Sequence, residues 1–77
     1  MQTLVNLELD LSGLTCPLPL LKTKQSLNRM AAGEVVKVTA TDPGSERDFQ
    51  AFALQSGNRL LAIEKADGKF FYWIEKS

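Results

Sequence analysis

The chain has 77 residues, 44% hydrophobic and 23% charged, with nine Lys and Arg balancing nine Asp and Glu. That composition excludes a disordered chain, the balanced charge offers no overall field for nucleic acid or an anionic membrane, and runs such as LPLL and FFYWI fall far short of the roughly 20 residues of a membrane span. A single cysteine and no histidine exclude an intramolecular disulfide, a Cys-x-x-Cys redox or zinc pair and any His-assisted chemistry.

A chain this short reads as one domain, residues 1–77, burying somewhat more than about 60% of the surface its unfolded form exposes. The opening MQTLVNLELD carries neither a basic leader nor an uninterrupted apolar segment, so a cytoplasmic protein is expected.

From Leu4 to Leu11, apolar Val5, Leu7, Leu9 and Leu11 alternate with polar Asn6, Glu8 and Asp10, which predicts a strand with one buried face; Ser12-Gly13 reads as a turn. From Pro17 to about Ala31 the period becomes helical. Leu20, Leu27, Met30 and Ala31 cluster on one side, and Lys22, Gln25, Ser26 and Arg29 on the other, with Leu18 among the polar residues and Gly33 as the stop. Glu34 to Thr41, EVVKVTAT, is rich in β-branched residues and predicts a second strand.

In TDPGS, Asp42 can cap a helix whose first residue is Pro43, with Ser45 as the alternative cap. Phe49, Phe52, Ala53 and Ser56 then recur at helical intervals until Gly57. Arg59 to Lys65 and Lys69 to Lys76 read as strands joined through Asp67-Gly68, a hairpin signal. FFYWI sets Phe70, Tyr72 and Ile74 on one face and Phe71 and Trp73 on the other, so one aromatic face is either covered or adhesive. The order β-α-β-α-β-β predicts an α/β two-layer sandwich, a four-stranded mixed sheet with two helices on one face; the pairing order of the strands does not follow from the pattern.

Cys16 sits between the first strand and the first helix. A helix start offers unpaired N–H groups and partial positive charge, which lower a thiol pKa. Pro17 and Pro19 delete two of those donors and leave Leu18 as the main nearby one, and Pro19 disfavours helical geometry at Leu18, so the helix opens with an irregular turn at Pro17 or only at Pro19. The prolines stiffen the thiol's mount, which reduces the entropy lost on docking. Cys16 to Ala31 contains three basic residues and no acidic one; Lys22 and Arg29, on the face of Leu18, would attract an acidic partner surface or a phosphate.

Each feature also has a plainer reading. A lone cysteine often packs as a small hydrophobe, although its strand-end location and proline frame weigh toward reactivity. Asp42-Pro43-Gly44 reads as helix-start chemistry. Asp48 or Arg47 would tune the thiol if the second helix lies beside the first, and would otherwise be solvated charges. Phe71 and Trp73 read as packing rather than as a binding platform, and Lys65 and Lys69 as solubilising.

The stretch LDLSGLTCPLPLLKTKQSL resembles the start of the TusA-type, or SirA-like, sulfur-carrier family, whose hallmark is Cys-Pro-x-Pro at the opening of the first helix, here Cys16-Pro17-Leu18-Pro19. VTATDPGSERDFQAF and SGNRLLAIEKADGKFFYWIEK extend the resemblance over essentially the whole chain. It implies the same βαβαββ sandwich and a single sulfur-carrier domain in which Cys16 accepts a sulfane sulfur from a cysteine desulfurase or rhodanese, holds it as a persulfide and passes it to a downstream sulfur-accepting protein. Family members feed tRNA thiolation, molybdenum-cofactor-related delivery or sulfur oxidation. The resemblance implies a sulfurtransferase-type carrier rather than a stand-alone enzyme, with no metal or other cofactor; the balanced charge leaves nucleic-acid contact only indirect or weak. Leu18, at the variable position of the motif, reads as a partner-selection difference. The competing readings are a redox sensor that oxidises Cys16 reversibly and a small nucleic-acid-interacting module.

Overall fold

A computed structural model describes residues 4–77. The elements are β1 (Leu7–Leu11), α1 (Leu18–Leu27), β2 (Val35–Ala40), α2 (Ser45–Ser56), β3 (Arg59–Ala66) and β4 (Lys69–Glu75), the predicted order. The strands lie in the order β1-β2-β4-β3, with β1 parallel to β2 and β4 antiparallel to both of its neighbours, so the sheet is mixed. A parallel pair needs a crossover between its strands, and α1 supplies it. β3 and β4 are joined by a two-residue turn in which Asp67 and Gly68 both have positive φ, 52° and 76°, the conformation that favours this residue pair. β4, with aromatics on both faces, takes an inner place, whereas β1 and β3 form the edges.

The register sets Leu7, Leu9 and Leu11 beside Val36, Val38 and Ala40, and Val36, Val38 and Ala40 beside Ile74, Tyr72 and Phe70. This face carries the core: Leu11, Val36, Val38, Ala40, Tyr72 and Ile74 from the sheet are buried against Leu27 of α1 and Phe49 and Phe52 of α2. Both helices therefore cover one face, as predicted. Phe49 stacks on Tyr72 with ring centroids 4.4 Å apart.

Several boundaries differ from the sequence reading for local reasons. β1 begins at Leu7 rather than Leu4: Leu4 is exposed, and Asn6 enters the ladder by donating its N–H to Val35 O (2.8 Å) while its side-chain oxygen accepts the Val35 N–H (2.9 Å). α1 ends at Leu27, not near Ala31, because Arg29 and Met30 donate to carbonyls only three residues back, those of Ser26 and Leu27. Its buried stripe is Pro19, Thr23 and Leu27, with Leu20 and Met30 at the margin and Ala31 exposed. Thr23 fits this apolar position because its hydroxyl donates to the Pro19 carbonyl at 2.8 Å.

α2 starts at Ser45, two residues after Pro43. The Asp42 carboxylate accepts the Gly44 N–H (3.1 Å) and its carbonyl accepts the Ser45 N–H (3.1 Å), forming a turn ahead of the helix. Neither Asp42 nor Ser45 acts as the side-chain cap; the Ser45 hydroxyl is buried and bonded to the Tyr72 hydroxyl at 2.6 Å. Lys65 does more than solubilise the hairpin, because its Nζ lies 2.7 Å from Glu46 Oε1 and links β3 to α2.

The Ser45–Tyr72 bond lies in the core, where an unpartnered hydroxyl costs about 1–3 kcal/mol. Ser45→Ala and Tyr72→Phe are each expected to lower stability by roughly that amount, and the double variant by less than the sum, since it removes both polar atoms. Urea denaturation of the four proteins measures the coupling directly.

Candidate functional site

Because β1 and β2 are parallel and adjacent, both run out at the same edge of the sheet, where Leu11 lies opposite Ala40. The segments that follow are stitched together: Gly13, with φ of 84°, donates its N–H to Thr41 Oγ1 at 2.9 Å. The Asp10 carboxylate accepts the Ser12 hydroxyl (2.6 Å) and the Ser12 N–H (3.1 Å), and these bonds hold the Asp10 carboxyl below its ordinary range. Leu14 packs against the edge of the core, and two residues later Cys16 is exposed at the approach to α1.

The Cys16–Pro17 peptide bond is cis. Pro17 is exposed and occupies the cap position of α1, while Pro19 is buried on its inner face, so the motif is anchored to the core by its second proline. The Leu18 N–H, expected to be the main donor near the sulfur, is bonded instead to the Thr15 carbonyl at 2.9 Å.

The sulfur has a different partner. Cys16 Sγ lies 3.1 Å from Asp48 Oδ2, with the thiol donating to the carboxylate. This bond is the largest influence raising the thiol pKa above its ordinary value; partial desolvation and the negative charges of Asp48 and Asp42 add to it, and only Arg47 opposes. The direction is opposite to the lowering expected from the helix start, and the first cause is the Asp48 carboxylate, which disfavours the thiolate.

Asp48 reaches the sulfur because α2 starts from the loop beside the one that carries Cys16. The Ser45–Tyr72 bond and the Phe49–Tyr72 stack fix how α2 sits on the sheet, and Asp48, next to buried Phe49, turns toward Cys16. Asp48 and Glu46 lie in the first turn, where negative charge also suits the helix dipole. The sequence reading made this contact conditional on neighbouring helices, and the structure meets that condition. The pattern lacked the parallel pairing that brings the two helix starts together.

The remaining site residues spread outward from the thiol. Leu18 and Leu21 are large apolar side chains left substantially exposed on α1, and Lys22 is exposed beside them in sequence. Arg29 is exposed but lies in the turn beyond α1, so the expected basic helical face is divided between the helix and that turn. Among the described residues the ion pairs use Lys37, Arg59 and Lys65, leaving out Lys22 and Arg29.

Phe71 and Trp73 lie half-buried on the sheet face away from the helices. Lys37 Nζ is 5.3 Å and 5.4 Å from their ring centroids and 3.9 Å from Glu8 Oε1, so a paired lysine occupies the aromatic patch. An open groove of about 540 Å³ between α2 and β3, lined by Gln50, Ala53, Leu54, Asn58, Arg59 and Leu60, contains none of the Cys-Pro-x-Pro residues. Among the described residues no helix is long and apolar enough to cross a membrane.

Comparison with known proteins converges on one family. The family model described as Sulfurtransferase TusA matches residues 7–76. The chain is 56% identical over 70 residues to the sulfur carrier protein TusA of Allochromatium vinosum, covering 91% of this chain and 92% of that protein. It is 54% identical over 69 residues to a putative sulfur carrier protein of Aquifex aeolicus, covering 90% of this chain but only 35% of that longer protein. The crystal structure of a SirA-like protein from Desulfitobacterium hafniense superposes with a TM-score of 0.79 at 28% identity, over 90% of this chain and 95% of the other. A family match over nearly the whole chain, a relative of equal length at more than half identity and the shared fold place this chain in the TusA family of sulfurtransferases and sulfur carriers.

Proposed function

We propose that this protein is a cytoplasmic sulfur carrier that accepts a sulfane sulfur on Cys16 as a persulfide and relays it to a second protein. The observation that carries this reading is an exposed sulfur at the opening of α1, fixed by a Pro19 buried in the core, in a chain without a second cysteine to discharge the load as a disulfide. The named relatives support the same role.

In the transfer, the Cys16 sulfur attacks the outer sulfur of a donor persulfide. One S–S bond forms as another breaks, the electron pair of the broken bond leaves with the donor cysteine, and the Cys16 proton ends on that cysteine. No external oxidant or reductant enters, because the exchange conserves the number of S–S bonds. A cysteine desulfurase or a rhodanese-type protein is the matching donor. The acceptor would belong to tRNA thiolation, molybdenum-cofactor-related delivery or sulfur oxidation.

Exposed Leu18 and Leu21, with Lys22 one turn along α1 and Arg29 in the turn beyond its far end, form the surface on which donor and acceptor would dock: apolar contact beside the thiol and cations further out to meet an acidic rim. The reading as a peroxide sensor is weakened by Asp48, since oxidation follows thiolate character and a carboxylate bonded to the thiol suppresses it.

Incubation with a cysteine desulfurase and cysteine, followed by intact-mass analysis, is expected to show a gain of one sulfur that reductant removes and that is absent in Cys16→Ser. No gain with several competent donors would sink the carrier reading. The docking surface is tested separately by Lys22→Glu combined with Arg29→Glu. At low ionic strength the pair is expected to slow loading by roughly tenfold, with a smaller effect at high salt. Unchanged loading would show these cations to be merely solvated.

A further inference from the structure

The hydrogen bond between Cys16 and Asp48 joins residues 32 positions apart in the chain and is made at the one atom on which sulfur transfer would turn. Asp48 makes no ion pair among the described residues, and its carboxylate lies against the thiol even though the sulfur is exposed. The charged groups acting on the sulfur are Asp48 and Arg47 from α2 and Asp42 from the loop before it. The first turn of α1 carries no acidic residue, and Pro17 through Leu21 carry no charge. Nothing from α1 balances the carboxylate, and Arg47 opposes it only in part.

We propose that Asp48 holds the proton of the empty carrier: its carboxylate keeps Cys16 as an aimed thiol and conducts the thiol proton away when a donor persulfide docks. This regulation of the site rests on the carrier reading. In the exchange, the Cys16 proton moves along the existing hydrogen bond to Asp48 Oδ2 as the Cys16 sulfur bonds to the outer sulfur of the donor. The donor S–S bond breaks with its electron pair on the donor cysteine, which then takes the proton from Asp48. Donor persulfide and Cys16 thiol become donor thiol and Cys16 persulfide, with no proton gained or lost. Afterwards Cys16 Sγ has no hydrogen to donate, and the remaining S–H is on the transferred outer sulfur.

The consequence is a thiol that small electrophiles meet in its less reactive form. A docked partner encounters it with a base in place, because a carboxylate hydrogen-bonded to a thiol is oriented to take its proton. This separation of general from partner-dependent reactivity suits a protein whose single cysteine has no resolving thiol behind it.

Two readouts test the proposal on the full chain. The first is the pH profile of alkylation of the unloaded protein by iodoacetamide. Relative to the native chain, Asp48→Asn and Asp48→Ala are expected to move the inflection to lower pH and to raise the rate at neutral pH, whereas Arg47→Gln moves it to higher pH. The second is sulfur loading from a desulfurase persulfide at neutral pH, which is expected to fall in both Asp48 variants even as their alkylation rate rises, because the base that takes the Cys16 proton is gone. The two substitutions differ in side-chain size, and circular dichroism at each pH separates a lost proton holder from a lost fold.

An alkylation inflection that stays in place in both folded variants overturns the proposal. So does a loading rate that rises together with the alkylation rate, since Asp48 would then tune the thiol without taking part in transfer. Failure of the native chain to take up sulfur counts against the carrier reading alone, because the alkylation arm needs no sulfur donor and still decides whether Asp48 holds the proton.

Discussion

The parallel pairing of β1 with β2 is the constraint on which the site depends. In an antiparallel pair the two following segments would leave opposite edges of the sheet, and Cys16 and Asp48 would lie at opposite ends of the molecule. With Leu11 set against Ala40, both loops emerge together, and the Gly13–Thr41 bond fastens one to the other. The starts of α1 and α2 then share one edge, the place where strand-to-helix loops in α/β folds commonly gather chemistry. Ten-residue α1 is short, but it completes the crossover that makes this pairing possible.

The core transmits that arrangement to the thiol through Tyr72. Its ring is fully buried and stacked on Phe49, while its hydroxyl reaches the Ser45 side chain in the first turn of α2. Burial raises the Tyr72 pKa, and so do the charges of Glu46, Asp42 and Asp48, while the Ser45 bond lowers it. Asp42 and Asp48 thus act on the buried tyrosine as they act on Cys16. A polar tip on a large aromatic lets one residue serve as both core and anchor, at the cost that its hydroxyl must be satisfied. Ser45 is consumed by that duty, which is why α2 lacks a side-chain cap and Asp42 builds a turn outside the helix instead.

The sequence made the element types and their order readable because each carries its own periodicity: alternation in LELDL, β-branching in VVKVT, and a turn pair at Asp67-Gly68 that both residues satisfy with positive φ. Element ends were less legible, since they turn on individual hydrogen bonds such as the Asn6 pairing with Val35 and the tightened turn after Leu27. Thr23 shows what the apolar pattern of α1 leaves out: a polar residue enters the buried stripe because its hydroxyl finds a backbone carbonyl within its own helix. At the site, the position of Cys16 at the opening of α1 could be read directly. The electrostatics could not, because local sequence shows the helix start beneath the thiol but not the carboxylate that arrives from 32 residues away.

That difference changes what the proline frame is for. Had the helix end dominated, Cys16 would be a standing thiolate, open to any oxidant or electrophile, and its selectivity would rest on access alone. Here the N–H groups of Pro17 and Pro19 are missing and that of Leu18 is spent on Thr15, so little opposes the carboxylate of Asp48. The proline frame thus leaves fewer free N–H groups for the sulfur than an ordinary helix start would offer. On the proposed reading, an exposed sulfur held as a thiol would need its partner to supply the conditions for reaction, and the exposed Leu18, Leu21 and Lys22 would be that partner's place to dock. On that reading recognition and reactivity would be coupled by geometry, with discrimination in the docked encounter rather than in the acidity of the cysteine.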